Sequence, residues 1–462
     1  MKRFKQLLIA VLALVIVLLV AYRLCNTTPE ASLPPNVKVS QILNDAGCIM
    51  CHSTNANLPF YANYPFAKNL IQQHISNGVR AEDLAKALQA IKDGKPVNEV
   101  SLAKIEQCVA EGTMPLFQYY IVHWGSDITP KQKEIILSWA KDERIKNYST
   151  KLAADKFAAE PVQPIHNFLP VDTNKVMLGK MLYNDVRLSI DNTVSCATCH
   201  GLNTGGVDNK QYSEGVSGQL GGVNAPTVYN AAYNFVQFWD GRAATLAIQA
   251  AGPPLNPIEM GYTSFDEIVA KLQEDKAFTK LFTTIYPDGL SQNNITDAIA
   301  EFEKTLITPN SKFDKYLKGD EAAISANELA GYGLFKQNRC ATCHVGVNLG
   351  GQSYEHVNLY GDYFADRGLT LTNEDNGRFK ETKAEKDRHC FKVPGLRNIE
   401  LTAPYYHDGS MKTLEEAVNA MGKYQLNKTF TADQTNKMVA FLRTLTGEHN
   451  GQLLTNANYK VQ

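Results

Sequence analysis

Cys48-Ile49-Met50-Cys51-His52, Cys196-Ala197-Thr198-Cys199-His200 and Cys340-Ala341-Thr342-Cys343-His344 are three copies of one pattern. Two thiols at this spacing can add across the two vinyl groups of a single haem, and the adjoining His supplies an axial nitrogen to the iron. With 9 Cys and 10 His in 462 residues, chance would give about 0.004 copies. A zinc site would need four ligands gathered together, and a dithiol redox pair would not need a His after each copy. Three covalently attached haem c groups are therefore expected, with His52, His200 and His344 as axial ligands. Domains of this kind wrap short helices around a haem that is itself most of the core. The expected class is all-α, with three cytochrome c-like haem domains.

The N-terminus reads Met-Lys-Arg-Phe-Lys before an apolar run, and Gln6 to Tyr22 carry no charge. That is at the short end of what spans a bilayer as a helix. The basic flank lies first, which places the N-terminus in the cytoplasm and the haem domains in the periplasm. The competing reading is a cleaved signal peptide. Tyr22-Arg23-Leu24-Cys25 offers neither an Ala-X-Ala site nor a small residue before Cys25, which favours an uncleaved anchor in the inner membrane.

Charge is nearly balanced, at 46 basic against 47 acidic residues, so no basic field invites nucleic acid. The Cys outside the motifs are Cys25, Cys108 and Cys390, an odd and scattered set that does not form a disulfide framework.

The chain length suits two or three soluble domains. The expected division is a transmembrane anchor over 1–25, a mono-haem domain over 26–155, and two further haem domains over 160–318 and 319–462. Pro29, Pro34 and Pro35 mark a tether, and Ala158-Ala159-Glu160-Pro161-Val162-Gln163-Pro164 a second linker. Apolar periodicity predicts helices over Thr129–Ile145, Thr173–Tyr183, Phe265–Leu281, Gln292–Leu306, Ser325–Gln337, Leu414–Lys423 and Ala432–Leu445. Seven glycines between 201 and 222 predict a long loop lying against another segment. The motifs start 148 and 144 residues apart, but their flanks differ, so no tandem repeat is expected.

Three haems alone fit an electron-transfer wire or an enzyme with one open iron, and the sixth ligand separates the two. For the first haem the candidates are Met114, followed by Pro115, with His123 and His74 as alternatives. For the third they are Met411, Met421, Met438, His356, His389 and His407. No His lies between His200 and His344, and Met260 is the only Met there. The second haem is thus the one expected to lack a strong sixth ligand. Glu259 stands in the same interval.

Phe238-Trp239-Asp240-Gly241-Arg242-Ala243, then Gln249, then Gly252 to Gly261, closely resemble the bacterial di-haem cytochrome c peroxidases. So do Asn224-Ala225-Pro226-Thr227, Phe391 to Asn398 and Thr402 to Gly409. The resemblance covers roughly residues 165–450. The preceding domain resembles the extra haem module of membrane-anchored tri-haem members, through Cys48 to Ser53, Leu58 to Tyr61 and Met114 to Trp124.

The resemblance implies reduction of hydrogen peroxide to water at the haem on Cys196 and Cys199, with His200 proximal. Glu259 would be the acid-base residue, Gln249 its hydrogen-bonding neighbour, and Trp239 would lie on the electron route. The haem on Cys340 and Cys343 would relay electrons, ligated by His344 and Met421. Calcium would be held by the Asn224 side chain and the carbonyls of Thr402 and Pro404, hard oxygen ligands that suit it. Membrane quinol or a small reduced cytochrome would donate electrons, and a homodimer is the usual assembly. The rival classes are a multihaem electron carrier without catalysis and a maturation-type di-haem oxidase with Tyr as distal ligand, against which Met421 argues. Many members place a His in the Gly-rich loop. Here Ser213 to Gly222 contain none, which predicts a second haem open even when oxidised.

Overall fold

The computed structural model describes residues 2–455, and by its contacts the chain divides after Tyr148 into two units. The first opens with α1 (Lys2–Cys25). Its residues Arg3–Cys25 have a mean hydropathy of 2.9 and none is buried. At 1.5 Å per residue it is about 36 Å long, enough to cross a membrane.

Helices α2 (Pro35–Asp45), α3 (Cys48–Cys51), α4 (Pro65–Ala81), α5 (Ala85–Asp93), α6 (Glu99–Glu111), α7 (Phe117–Val122) and α8 (Pro130–Asn147) complete this unit. Thr129 and Gln132 close a capping box over the start of α8, satisfying donors that would otherwise be orphaned. The core joins Val39, Ile42 and Leu43 of α2 to Ile91, Leu102, Ile105, Ile136 and Trp139. Apolar residues at three- and four-residue spacing on α2 and α8 produce that shared face.

The second unit runs through α9 (Thr173–Tyr183), α10 (Cys196–Cys199), α11 (Leu246–Ala250), α12 (Gly252–Leu255), α13 (Phe265–Gln273), α14 (Lys276–Ile285), α15 (Gln292–Glu303) and α16 (Lys312–Leu317). It continues through α17 (Ala326–Gln337), α18 (Cys340–Cys343), α19 (Tyr363–Arg367), α20 (Phe379–Thr382), α21 (Leu414–Leu426) and α22 (Ala432–Arg443). A short antiparallel pair joins β1 (Tyr354–His356) to β2 (Cys390–Lys392).

Two lobes repeat one device. Gly179 of α9 lies so close to α15 that a Cβ would collide with the Ala298 carbonyl and press on the Phe302 Cβ. Gly331 of α17 stands in the same relation to the Lys437 carbonyl and the Phe441 Cβ of α22. In each lobe the helix before the haem motif therefore crosses a later helix at backbone contact, which only glycine permits. The sequences around the two crossings differ, so the repeat is visible only in three dimensions.

Buried polar pairs tie distant segments of this unit together. Arg397 forks onto both carboxylate oxygens of Asp314 at 2.9 Å, with both side chains enclosed. Thr308 Oγ1 accepts from Asn230 Nδ2 at 2.8 Å and from Asn398 Nδ2 at 3.0 Å.

The predicted helices are present, with two differences along this part of the chain. The helix expected over Phe265–Leu281 is broken in two, because the Asp275 side chain accepts from Phe278 N at 2.9 Å and caps a new start. The linker expected after residue 157 is packed rather than free. Val162 belongs to the apolar cluster of the third motif's lobe with Phe313, Phe335 and Phe441. Glu160 binds Lys336 at 2.9 Å and accepts from Tyr332. From Ser149 onward the described residues group as one unit by their contacts, with the two haem-motif lobes inside it.

Candidate active site

Each Cys-X-X-Cys-His copy folds as one helical turn followed by its His. The turn brings thiols at positions i and i+3 to one side, the geometry needed to grip one ring. Burial pushes Cys48, Cys196 and Cys340 up to about 12, so these thiols stay neutral until they are consumed in bonds.

The His rings are held for coordination. His52 Nδ1 donates to the Glu82 carbonyl at 3.0 Å, and His344 Nδ1 to the Leu349 carbonyl at 2.9 Å. That bond places the proton on Nδ1 and leaves the Nε2 lone pair for a metal. Burial lowers His344 to about 4 and also lowers His200, which keeps both rings neutral. The third motif's lobe also holds Lys392, lowered by burial to about 8, and the buried Tyr406 hydroxyl, which has no partner among the described residues. A buried cation and an orphan donor are what a haem propionate would take up, so the residues present fit the cofactor.

Glu259 lies beside the second motif. Its charge helps raise the Cys199 thiol, after burial as the main cause, which sets the two groups within electrostatic reach. Burial lifts the Glu259 carboxyl above the ordinary carboxylate value, opposed by the Arg242 charge and by a hydrogen bond from Asn256 Nδ2 to Oε1 at 2.7 Å. Asn256 also builds the turn that carries Glu259, because its carbonyl accepts from Glu259 N, Met260 N and Gly261 N. The resemblance implies Gln249 as a hydrogen-bonding neighbour of Glu259, and a further partner, Asn256, is bonded to its Oε1. Its signal was the i, i+3 spacing of an amide before a carboxylate. Gln249 itself sits on α11, half-buried.

The Gly-rich loop packs on this turn, as a loop of that length should. Val216 N donates to the Glu259 carbonyl at 3.0 Å. A Cβ on Gly215 would collide with the Ile258 carbonyl. The loop hairpin is closed by Gly215 N and Gly221 N bonds to Gln219 O and Ser213 O, both 2.8 Å. Met260, the sole Met of the interval, is 3% exposed and packs in the apolar cluster with Leu188, Phe265 and Ile268.

Trp239 is tied to both lobes. Its Nε1 donates to the Asn224 carbonyl at 2.9 Å, and its ring meets Phe391 and His407 edge to face at 6.5 Å. His407 Nε2 bonds Asp375 at 2.9 Å, and His389 Nδ1 donates to the Asp375 carbonyl at 2.7 Å. The bond to Asp375 engages Nε2 of His407, whereas that of His389 uses only its Nδ1. Met438 is 2% exposed in the core, while Met421 on α21 and Met411 are only partly covered. Arg397 is paired with Asp314, and Arg242 with Asp240.

Around the calcium candidates, Asn224 Nδ2 donates to the Lys210 carbonyl at 2.9 Å, which turns Oδ1 the other way. Asn209 ties the same loop to the Leu401 and Ala403 carbonyls at 2.8 and 3.1 Å, next to Thr402 and Pro404. In the first unit, Tyr61 Oη bonds His123 Nε2 at 2.5 Å and the His123 Nδ1 donates to the Tyr119 carbonyl at 2.8 Å. Both His123 nitrogens are engaged, whereas Met114 is half-buried with its sulfur uncommitted to any such bond.

Comparison with known proteins bears on this arrangement. A family model described as di-haem cytochrome c peroxidase matches residues 173–322, and one described as haem-binding domain matches 12–142. The chain is 48% identical over 418 residues to cytochrome c peroxidase Ccp of Escherichia coli K12, covering 90% of this chain and 89% of the relative. It is 48% identical over 294 residues to cytochrome c551 peroxidase of Nitrosomonas europaea, covering 63% of this chain and 85% of the relative. A crystal structure of a MauG-like protein associated with microbial copper homeostasis aligns with a TM-score of 0.55 at 29% identity, over 60% of this chain and 91% of that one. The paired haem-motif lobes, the carboxylate beside the second motif and this extent of identity make the chain a member of the di-haem cytochrome c peroxidase family.

Proposed function

We propose that the chain reduces hydrogen peroxide to water at the haem on Cys196 and Cys199, with electrons relayed through the haems on Cys340/Cys343 and Cys48/Cys51. The observation that carries this reading is Glu259, a half-buried carboxylate fixed by Asn256 next to a haem motif with no competing His. A haem held by Cys196, Cys199 and His200 would supply a binding position for peroxide and a path for electrons.

Oε1 of Glu259 is committed to Asn256, so Oε2 takes the proton from one peroxide oxygen and returns it to the other, which leaves as water. Two electrons and two further protons complete the reduction of one peroxide to two waters. The base must be ionised when peroxide arrives, and Arg242 with Asn256 favours that form against burial. Trp239, in edge contact with Phe391 and His407, stands on the electron route between the lobes.

His344 and Met421 would ligate the relay haem, as the resemblance implies; of the alternatives, His407 already has its Nε2 bonded to Asp375. Met114 with His52 ligates the first. Asn224 Oδ1 and the carbonyls of Thr402 and Pro404 hold calcium, an all-oxygen set that suits a hard cation.

Helix α1 remains as an inner-membrane anchor, with the haem domains in the periplasm. This places the first haem near the lipid, where quinol is the donor. Steady-state peroxide reduction by the extracted holoprotein tests the reading. Turnover with reduced quinol supports both the chemistry and the donor, turnover with reduced cytochrome alone supports the chemistry only, and turnover with neither returns the chain to the electron carriers.

A further inference from the structure

The C-terminal end of α1 is built into the first haem domain rather than hanging from it by a flexible tether. Asn26, 8% exposed, donates from Nδ2 to the Tyr22 carbonyl at 2.9 Å and to the Trp124 carbonyl at 2.7 Å. Tyr22 Oη donates to the Asp127 carboxylate, and Gln132 Nε2 donates to the Thr27 carbonyl at 3.1 Å. Gly125 lies against Cys25, so closely that an added Cβ would come 3.5 Å from its carbonyl. Segment 124–127 is therefore held at the level where the apolar helix ends.

From that level an apolar surface spreads outward. Phe117, Ile121 and Val122 of α7 are 70%, 48% and 71% exposed, and Trp124 is 42% exposed. The 60–64 turn joins them through the Tyr61–His123 bond and presents Phe60 at 77% and Tyr64 at 44%. Residues 53–67 and 112–126, which carry this surface, contain no Asp, Glu, Lys or Arg, in a chain where one residue in five is charged. Large apolar side chains at this exposure are costly in water. Trp and Tyr among them are the side chains that settle at a bilayer's headgroup level.

We infer that this face is a lipid-contacting surface, which lies in the outer leaflet of the bilayer that α1 enters and presses the first haem domain onto the membrane. The inference rests on α1 being retained as an anchor. The bilayer is the occupant because the surface is continuous with the end of a membrane-length helix. A soluble partner would have to compete with lipid for the same ground. Tyr119, about half a turn round α7 from Phe117 and Ile121, lies against Gly47 at the start of the first haem motif, so seating α7 in lipid brings that motif to the depth of lipid-soluble reductants.

The test uses the full-length holoprotein in phosphatidylethanolamine–phosphatidylglycerol vesicles doped with a lipid carrying a photoreactive acyl chain, followed by peptide mapping. Adducts on both α1 and the 115–126 peptide are expected. The double variant Phe117→Asp, Val122→Asp, with unchanged haem absorbance, should lose at least tenfold of the 115–126 adduct while keeping that on α1. Adducts confined to α1 would overturn the inference and leave the anchor standing. Protein washed off the vesicles with no adduct on α1 would overturn the anchor and this inference together.

Discussion

Asn256 Nδ2 donates to Glu259 Oε1 at 2.7 Å from three residues away, within the turn on which the Gly-rich loop rests. The pair defines which carboxylate oxygen is free to move a proton. Replacing Glu259 by Gln keeps the size and the bond to Asn256 acceptable but removes the base. Peroxide turnover should fall by about 10² to 10⁴, the usual worth of positioned acid-base help, with haem content and absorbance unchanged. Retention of more than a tenth of the activity would remove Glu259 from the mechanism.

Burial raises the Glu259 pKa from 4.5, and only the ionised form accepts a proton. On the acid side, kcat/KM for peroxide should therefore rise with pH through a value above the ordinary carboxylate range. Asn256→Ser withdraws a bond that favours the charged form, so the acid limb should move to higher pH. A limb that stays in place in the variant would show that another group titrates.

Gly215 lies against the Ile258 carbonyl and the Glu259 backbone. Gly215→Ala forces the loop off the turn, at about 1–3 kcal/mol for overpacking a tight contact. Loss of activity with intact haem, together with a lowered melting temperature, is the expected pair of results.

Arg397 and Asp314 are buried on both sides, and Arg397 also donates to the Gln163 carbonyl at 3.2 Å. Arg397→Met strands a buried carboxylate and should cost about 3–5 kcal/mol in denaturant unfolding. A change below 1 kcal/mol would mean that the pair contributes little to the stability of this unit.

The Ser213–Gly222 hairpin carries no His, and Met260 is packed in the core. The fully oxidised protein should therefore show a high-spin component and reduce peroxide without prior reduction. A spectrum containing only six-coordinate low-spin haem would contradict this.

The three Cys-X-X-Cys-His copies, the apolar N-terminal run and the helical periodicities were decided by local chemistry, and all are in place along the chain. Covalent attachment depends on thiols one helical turn apart and helices on the spacing of apolar residues, so short stretches sufficed. Glu259 could be singled out because the surrounding interval is empty of His. What local sequence could not carry was partnership across distance. Asp314 on Arg397 and Asp375 on His407 each depend on where separate segments meet. The glycine crossings at Gly179 and Gly331 are of the same kind, since a bare Cα signals nothing until another backbone arrives. So is the packing of residues 154–163, whose Pro and Ala read as a linker until Val162 found the apolar cluster of the third motif's lobe. Side-chain identity set the chemistry available, and tertiary proximity set which groups share it, because burial and charge act over a few ångströms of space rather than along the chain.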